Sequence, residues 1–316
     1  MPELVNLTDV EQAHRLVGER VHRTPTLSVT SIGDELGLQL WLKAELFQRT
    51  GSFKLRGVLN ALLTLPADEL RHGVVSMSAG NHAAALALGA TAAGTTATVV
   101  MPAHASEVKV AATRRYGGTV VLTDRPLVEV MGEIAESESR LVIHPFDDPR
   151  IIAGAGGVGL EFVEDAPPLD LLVVPVGGGG LISGIAAVFK ERSPATRVVG
   201  VEPHGADGMT RALAAGAPVT IVPSTLADGL AAPFAGDTTF PHVRELVDEV
   251  VTIDDGAIGP ALRMLYERAK LAAEPSAAAP LAALLCGAVA AEPGSRVGLV
   301  VSGGNVDLAR LPAFFD

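Results

Sequence analysis

The sequence is poor in cysteine, and this scarcity limits its chemistry. One cysteine, Cys286, occurs in 316 residues. An intrachain disulfide and a metal site built from several cysteines are therefore excluded. Cys286 lies in the apolar run 284–288, which predicts a buried and unreactive thiol.

Positive charge and long apolar runs are also scarce. The net charge of −12 and the isoelectric point near 5.1 argue against a partner that is a nucleic acid or an anionic membrane. The apolar stretch 271–291 is interrupted by Glu274, Pro275 and Pro280, which favours a buried helix over a membrane span. The first residues lack the basic and apolar regions of a signal peptide. We therefore expect a soluble cytoplasmic protein.

Short apolar runs alternate with helix-length segments from residue 38 onward. The predicted strands are 38–42, 74–77, 97–101, 119–122, 171–175, 198–201, 249–253 and 296–301, and the predicted helices include 81–93, 106–116, 182–192 and 257–271. Strands that are apolar on both faces are typical of parallel sheets covered by helices. The repeated alternation predicts an α/β fold with doubly wound architecture.

Lysine is used sparingly, and Lys54 has an unusual setting among the five lysines. Phe53 and Leu55 flank it, and Gly51-Ser52 precedes them. An amine beside apolar groups is desolvated, which favours the neutral, nucleophilic form that a Schiff-base lysine needs. The alternative is an ordinary lysine in water at a helix start, with Ser52 as the N-cap.

Four consecutive glycines, Gly177–Gly180, follow the predicted strand 171–175 and precede a predicted helix. Backbone N–H groups and a helix dipole can converge on a phosphate at such a joint. The alternative is a flexible turn. The segment is not a Walker A loop, because no Gly-Lys-Ser/Thr follows it.

A second glycine-rich segment, residues 154–159, matches the pattern G-x-G-x-x-G. A dinucleotide site would need a strand before it and an acidic residue about twenty positions later, and neither is present. We therefore predict a helix packed closely on its neighbour rather than a site for a nicotinamide cofactor.

Three further joints carry polar groups. Residues 78–82 (Ser-Ala-Gly-Asn-His) follow the predicted strand 74–77, and residues 302–305 (Ser-Gly-Gly-Asn) follow the last predicted strand. Residues 274–276 (Glu-Pro-Ser) open a further apolar segment. Each joint taken alone is also compatible with simple helix capping.

Taken in order, these segments resemble fold-type-II pyridoxal-phosphate enzymes, and within them the threonine/serine dehydratase and serine racemase group. The segment 43–57, with Lys54 near its end, is similar to the Schiff-base segment of that family, and the resemblance spans residues 8–312. It implies a two-domain parallel-sheet fold like that of tryptophan synthase β. Residues 1–72 and 148–316 would form a large cofactor-binding domain, and 73–147 a small domain. It also implies a homo-oligomer, a dimer or tetramer.

The resemblance implies pyridoxal 5′-phosphate as the cofactor. Lys54 would hold it as a Schiff base, with Phe53 packed on its ring. The residues implied to contact the rest of the cofactor are Asn81, Gly177, Gly178, Gly179, Gly180, Glu274 and Ser302. A serine at the pyridine nitrogen, here Ser302, weakens the electron sink and favours loss of a β-substituent over transamination.

The same resemblance implies where the substrate binds. The residues implied to hold its carboxylate are Ser78, Ala79, Gly80, Asn81 and His82. Ala79 stands where racemases of the family have a second serine, and alanine cannot transfer a proton. The implied reaction is therefore β-elimination from a small β-hydroxy amino acid, threonine or serine, by an ammonia-lyase that releases a 2-oxo acid and ammonia.

Departures from the family pattern leave alternatives open. Gly154-Ala155-Gly156-Gly157 replaces Gly-Gln-Gly-Thr, and the loss of both polar side chains argues against threonine as the preferred substrate. Within the fold, a hydroxyaspartate, phenylserine or ectoine-pathway dehydratase or a β-replacement synthase stays possible. Glu202 and Ala206 fit two positions of a divalent-cation site, whereas Gly208 replaces its last acid beside Asp207, so the metal stays undecided. No C-terminal regulatory domain is expected. A non-catalytic ligand-binding α/β protein is the alternative from a different class.

Overall fold

A computed structural model describes residues 3–78 and 80–315 of the chain. The strands are β1 (Thr26–Ser28), β2 (Gln39–Ala44), β3 (Val74–Met77), β4 (Ala97–Pro102), β5 (Thr119–Thr123), β6 (Leu141–Val142), β7 (Leu171–Pro175), β8 (Arg197–Pro203), β9 (Glu249–Ile253) and β10 (Arg296–Val301). The helices are α1 (Leu7–Val17), α2 (Thr30–Leu36), α3 (Lys54–Thr64), α4 (Asn81–Ala92), α5 (Glu107–Arg115), α6 (Leu127–Ser137), α7 (Pro149–Ala155), α8 (Gly157–Asp165), α9 (Gly180–Arg192), α10 (Gly208–Ala215), α11 (Thr239–Leu246), α12 (Ile258–Met264) and α13 (Pro275–Leu285). A π-helical turn, Leu265–Ala269, extends α12.

The strands form two sheets. The larger has the order β1-β2-β10-β7-β8-β9, in which β1 is antiparallel to β2 and the other neighbours are parallel. The smaller has the order β5-β4-β3-β6 and is parallel throughout. The predicted α/β fold with parallel sheets is therefore confirmed. The exact domain boundaries at residues 72 and 147 stay a prediction.

The carboxyl ends of the central strands meet at one edge of each sheet. In the larger sheet Pro175 pairs with Val201, and Val301 pairs with Ala44. In the smaller sheet β3 ends at Met77, four residues before α4 begins. Helix α3 packs on α7 and on α4. It therefore bridges the helices that lie next to the two sheets. These edges are where an α/β fold places its ligands.

The G-x-G-x-x-G segment spans the end of α7 and the start of α8, and these helices pack closely on their neighbours as predicted. A Cβ atom added at Gly154 would lie 2.5 Å from the carbonyl oxygen of Arg56, and one at Gly156 would lie 2.6 Å from Val10. A real Cβ cannot approach so closely, so the glycines are required for helix packing. This contact explains the motif without a dinucleotide.

The apolar stretch near the C-terminus is a buried helix, as predicted, but its cysteine is not buried. Helix α13 is buried from Pro275 to Leu284, and in the described part of the chain no helix is long and apolar enough to cross a membrane. Cys286 is exposed, so the prediction of a buried thiol was wrong. The helix ends at Leu285, and Gly287, with φ of 75°, turns the chain away at the surface.

Candidate active site

A cavity of about 420 Å³ lies where the carboxyl ends of the strands face one another. Most of the site residues that were predicted from the sequence line this cavity. They are Phe53, Lys54, Ser78, Gly80, Asn81, His82, Gly177, Gly178, Gly179, Gly180, Glu274 and Ser302. Asp228 and Gly229 line it as well. Ala79 lies outside the described residues. The structure therefore brings these separate sequence motifs to one place, in a volume typical of a small-molecule site.

Lys54 is the first residue of α3 and is half-buried. Its Nζ donates a hydrogen bond to the carbonyl oxygen of Pro145 over 2.9 Å and lies 5.1 Å from the centroid of the Phe53 ring. Burial lowers the pKa of Lys54 to about 8, although the negative charge of Glu274 opposes this. The amine is therefore partly neutral near neutral pH, as a nucleophile requires.

The helix-cap alternative for this segment is not observed. Ser52 does not cap α3, and its Oγ is buried without a hydrogen-bond partner among the described residues. The N–H of Phe53 instead donates to the carbonyl oxygen of Ser302 over 3.1 Å. This bond fixes the residue before Lys54 to the end of β10, so that Ser302 and Lys54 share the cavity.

The four glycines form the turn between β7 and α9. Gly179 has φ of 93°, a left-handed conformation that favours glycine, and α9 begins at Gly180. A Cβ atom added at Gly178 would lie 2.4 Å from the Phe146 ring. The first N–H groups of the thirteen-residue helix α9 have no carbonyl partner within the helix and lie beside the cavity. This arrangement suits a phosphate.

A chain of polar side chains crosses from α4 to the loop after β10. Asn81 donates from Nδ2 to Oε1 of Glu274 over 2.7 Å. Asn305 donates from Nδ2 to Oδ1 of Asn81 over 2.8 Å and to the carbonyl oxygen of Thr50 over 2.7 Å. Burial, with the nearby negative charge of Asp228, raises the pKa of Glu274 to about 7. The segment 302–305 was expected to be a ligand-facing turn or a helix cap, and the contact of Asn305 with Asn81 was not predicted.

Two neutral histidines lie at the cavity. Burial lowers the pKa of His82 to about 3, and its Nε2 lies 3.1 Å from Oγ of Ser76. Burial also lowers the pKa of His144, whose Nδ1 accepts a hydrogen bond from the N–H of Asp147 over 2.8 Å. The sequence-based predictions missed His144 because the strand before it, β6, has only two residues.

A buried ion network stands behind Lys54 on α3. Arg56 donates to Oε2 of Glu45 over 2.9 Å and to Oε1 of Glu161 over 2.7 Å. Lys43 donates to Oε2 of Glu161 over 2.8 Å. These four side chains are almost fully buried. Burial alone would raise the pKa of Glu161, but the positive charges of Arg56 and Lys43 hold it below its usual value.

The candidate metal ligands lie apart from the cavity lining. Both carboxylate oxygens of Glu202 accept hydrogen bonds from the start of α10, at 2.8 Å from the N–H groups of Met209 and Thr210. Asp207 pairs with Arg211 over 2.7 Å. Among the described residues no three histidine, cysteine or acidic side chains form a set that could hold a metal ion. We therefore assign no step to a cation.

Comparisons with known proteins give a consistent result. The family described as "Pyridoxal-phosphate dependent enzyme" matches residues 17–303. Serine racemase from Oryza sativa subsp. indica is 43% identical over 315 residues, covering 97% of this chain and 92% of the relative. L-threonine ammonia-lyase from Geobacter sulfurreducens is 42% identical over 311 residues, covering 96% and 76%. The structure of maize serine racemase superposes with a TM-score of 0.93 at 40% identity, covering 98% of this chain and 97% of that one.

Proposed function

The chain belongs to the pyridoxal-phosphate dependent enzymes of fold type II, and from this premise we propose that it is an ammonia-lyase. Its substrate is a β-hydroxy amino acid, from which elimination of the β-hydroxyl releases a 2-oxo acid and ammonia. The half-buried Lys54 amine, which shares one cavity with the N-terminus of α9, carries the proposal. A non-catalytic binding protein would not need an amine with a lowered pKa at that position.

The cavity fits pyridoxal phosphate. Lys54 offers an amine whose pKa is lowered to about 8, and the glycine turn at the start of α9 offers free N–H groups for a phosphate. Phe53 and Ser302 line the space between them. Lys54 would hold the cofactor, the turn 177–180 its phosphate, Phe53 its ring and Ser302 its pyridine nitrogen. When bound, the cofactor supplies an electron sink for charge that develops at the substrate Cα.

The chain's own residues provide binding and proton transfer. The N-terminus of α4, with Ser78 and Asn81, faces the cavity and would bind the substrate carboxylate. Lys54 would remove the Cα proton as a general base. The Cβ–O bond would then break, and the hydroxyl would leave as water with the proton that Lys54 had taken from Cα. The resulting enamine tautomerises, and one water hydrolyses it to the 2-oxo acid and ammonia.

The choice of elimination over racemisation depends on residue 79. Racemisation by two bases needs a proton donor on each face of Cα. Alanine at position 79 has no transferable proton, and burial keeps the neighbouring His82 neutral, with its pKa lowered to about 3. Lys54 is therefore the base that the proposal uses. A homo-oligomeric state and a cytoplasmic location stay expectations.

A product assay tests this proposed function. The enzyme loaded with pyridoxal phosphate is incubated with L-threonine and L-serine, and 2-oxo acid, ammonia and D-amino acid are measured together. We expect 2-oxo acid and ammonia in equal amounts and little D-amino acid. The variant Ala79→Ser should gain racemisation if position 79 controls the outcome. Racemisation that dominates in the wild-type protein would contradict the proposal.

The lowered pKa of Lys54 gives a pH prediction for the apoenzyme. Because only the neutral amine attacks an aldehyde, the rate of covalent capture of pyridoxal should rise with pH and level off above about 8, not near the ordinary value of 10.5. Absorbance after mixing measures the rate, and the rate in Lys54→Ala is subtracted to remove reaction at other lysines. A rate that still rises steeply above about pH 9 would show an unperturbed lysine.

A further inference from the structure

One wall of the cavity is formed by residues that lie outside the cofactor motifs and the carboxylate loop. The wall comes from the ends of β3 and β6, the start of α6 and the segment after residue 230. Its residues all have apolar side chains. We use the name apolar wall for the set Met77, Leu127, Phe146, Ala232, Pro233 and Phe234. Small-molecule sites are lined mainly by apolar and aromatic side chains, and such a lining favours contact with an apolar group of the ligand.

The two aromatic residues of the apolar wall pack together, and the ring of His144 packs beside them. The ring centroids of Phe146 and Phe234 lie 5.6 Å apart with an interplanar angle of 58°, and those of His144 and Phe146 lie 4.6 Å apart at 84°. Such edge-to-face and tilted arrangements are favourable for aromatic rings, and they can accept a further ring. On the other side, Met77 and Leu127 pack in one apolar cluster of the smaller sheet.

Positive charge is scarce around the apolar wall. Of the described cations that line the cavity, Lys54 is assigned to the chemistry and Lys109 is paired with Asp228. His144 hydrogen-bonds through Nδ1 to backbone N–H groups, and burial favours its neutral form by lowering its pKa. A second substrate carboxylate would therefore lose its hydration without gaining a free counter-charge. Substrates of the hydroxyaspartate class do not match this wall.

We propose that the substrate carries an apolar aromatic group on its β-carbon, as 3-phenylserine does, in contact with Phe146, Phe234 and Leu127. This inference rests on the proposed function, because the β-hydroxyl is still the leaving group. The inference adds the class of substrate side chain to the proposed function. The phenyl group packs against the apolar wall, whereas a carboxylate binds poorly there. Serine leaves the wall uncovered, and threonine covers a small part of it.

Binding of unreactive amino acids tests the wall without turnover. L-phenylalanine, L-alanine and L-aspartate share the α-carboxylate and amine but lack the β-hydroxyl. Calorimetric titration of the loaded enzyme should give L-phenylalanine a Kd about 50-fold lower than L-alanine, because a phenyl ring is removed from water. L-aspartate should bind most weakly. Equal affinities, or tighter binding of L-aspartate, would overturn the inference.

A turnover assay separates this inference from the proposed function. 2-Oxo acid release is measured with 3-phenylserine, threonine, serine and threo-3-hydroxyaspartate. We expect kcat/KM for 3-phenylserine to exceed that for hydroxyaspartate by about 100-fold. Turnover of serine and threonine without a preference for 3-phenylserine over hydroxyaspartate would overturn the inference and leave the function intact. No turnover of any substrate, with the expected binding order, would overturn the function and support the wall.

A matched pair of variants tests the position of the wall. Leu127→Arg adds a cation at the cavity, whereas Val128→Arg adds the same charge next to it at a residue that is 56% exposed. We expect Leu127→Arg to lower the Kd of L-aspartate about 10-fold and to raise that of L-phenylalanine. Val128→Arg should change neither value. Equal effects of the two variants, or no effect of Leu127→Arg, would contradict a specificity role for this wall.

Discussion

Lys54→Ala is expected to lower kcat/KM for elimination by about 10⁴-fold, because one residue supplies both the covalent attachment of the cofactor and the base at Cα. The purified variant should also lack the visible absorbance of lysine-bound pyridoxal phosphate. The fold should persist, since the variant removes a half-buried amine whose ammonium form burial disfavours. Steady-state 2-oxo acid release, the absorption spectrum and thermal unfolding give the three readouts.

The matched control for this variant is Lys190→Ala. Lys190 is exposed near the end of α9, so its removal should leave activity and absorbance unchanged. If Lys54→Ala keeps the wild-type absorption spectrum after gel filtration, a different lysine binds the cofactor. Loss of activity with an unchanged spectrum would separate the base from the attachment site.

Arg56→Met is expected to lower the free energy of unfolding by about 3–5 kcal/mol, because it leaves two buried carboxylates without their main counter-charge. Arg56 contacts both Glu45 and Glu161 and is fully buried. Methionine fills much of the volume but donates no hydrogen bond. Urea unfolding followed by circular dichroism measures the loss.

The control for Arg56→Met is an exposed ion pair at the surface. Arg23 contacts Glu164 over 2.9 Å and Asp165 over 2.6 Å, and its side chain is half exposed. Arg23→Met should therefore cost less than about 1 kcal/mol. If Arg56→Met and Arg23→Met lower the free energy of unfolding equally, burial does not determine how much the network contributes to stability.

Much of the fold could be predicted because its central strands are long and apolar. Strands β7 and β10 were predicted with their observed bounds, since a buried parallel strand is a continuous apolar run. Strands β1 and β6 were missed because three and two residues carry no periodic signal. Cys286 was misjudged because an apolar run does not reveal where a helix ends.

Residues of the candidate site could be predicted only where a short segment of the sequence has a recognisable chemical function. Lys54 and the glycine turn stand out from their neighbours, and the structure brings them together in one cavity. The contact of Asn305 with Asn81 joins residues 224 positions apart, so no local pattern can show it. The apolar wall was missed for a similar reason, because Leu127 and Phe234 are ordinary residues until the fold places them around one space.

Chemical reduction followed by peptide mapping tests the role of Lys54 most directly. The purified protein is loaded with pyridoxal phosphate, treated with sodium borohydride to fix any lysine-bound cofactor, digested and analysed by mass spectrometry. The modification should lie on the peptide that contains Lys54, with the other lysine-containing peptides unmodified. Modification at Lys43, Lys109 or another lysine in place of Lys54, or at none, would contradict the assignment.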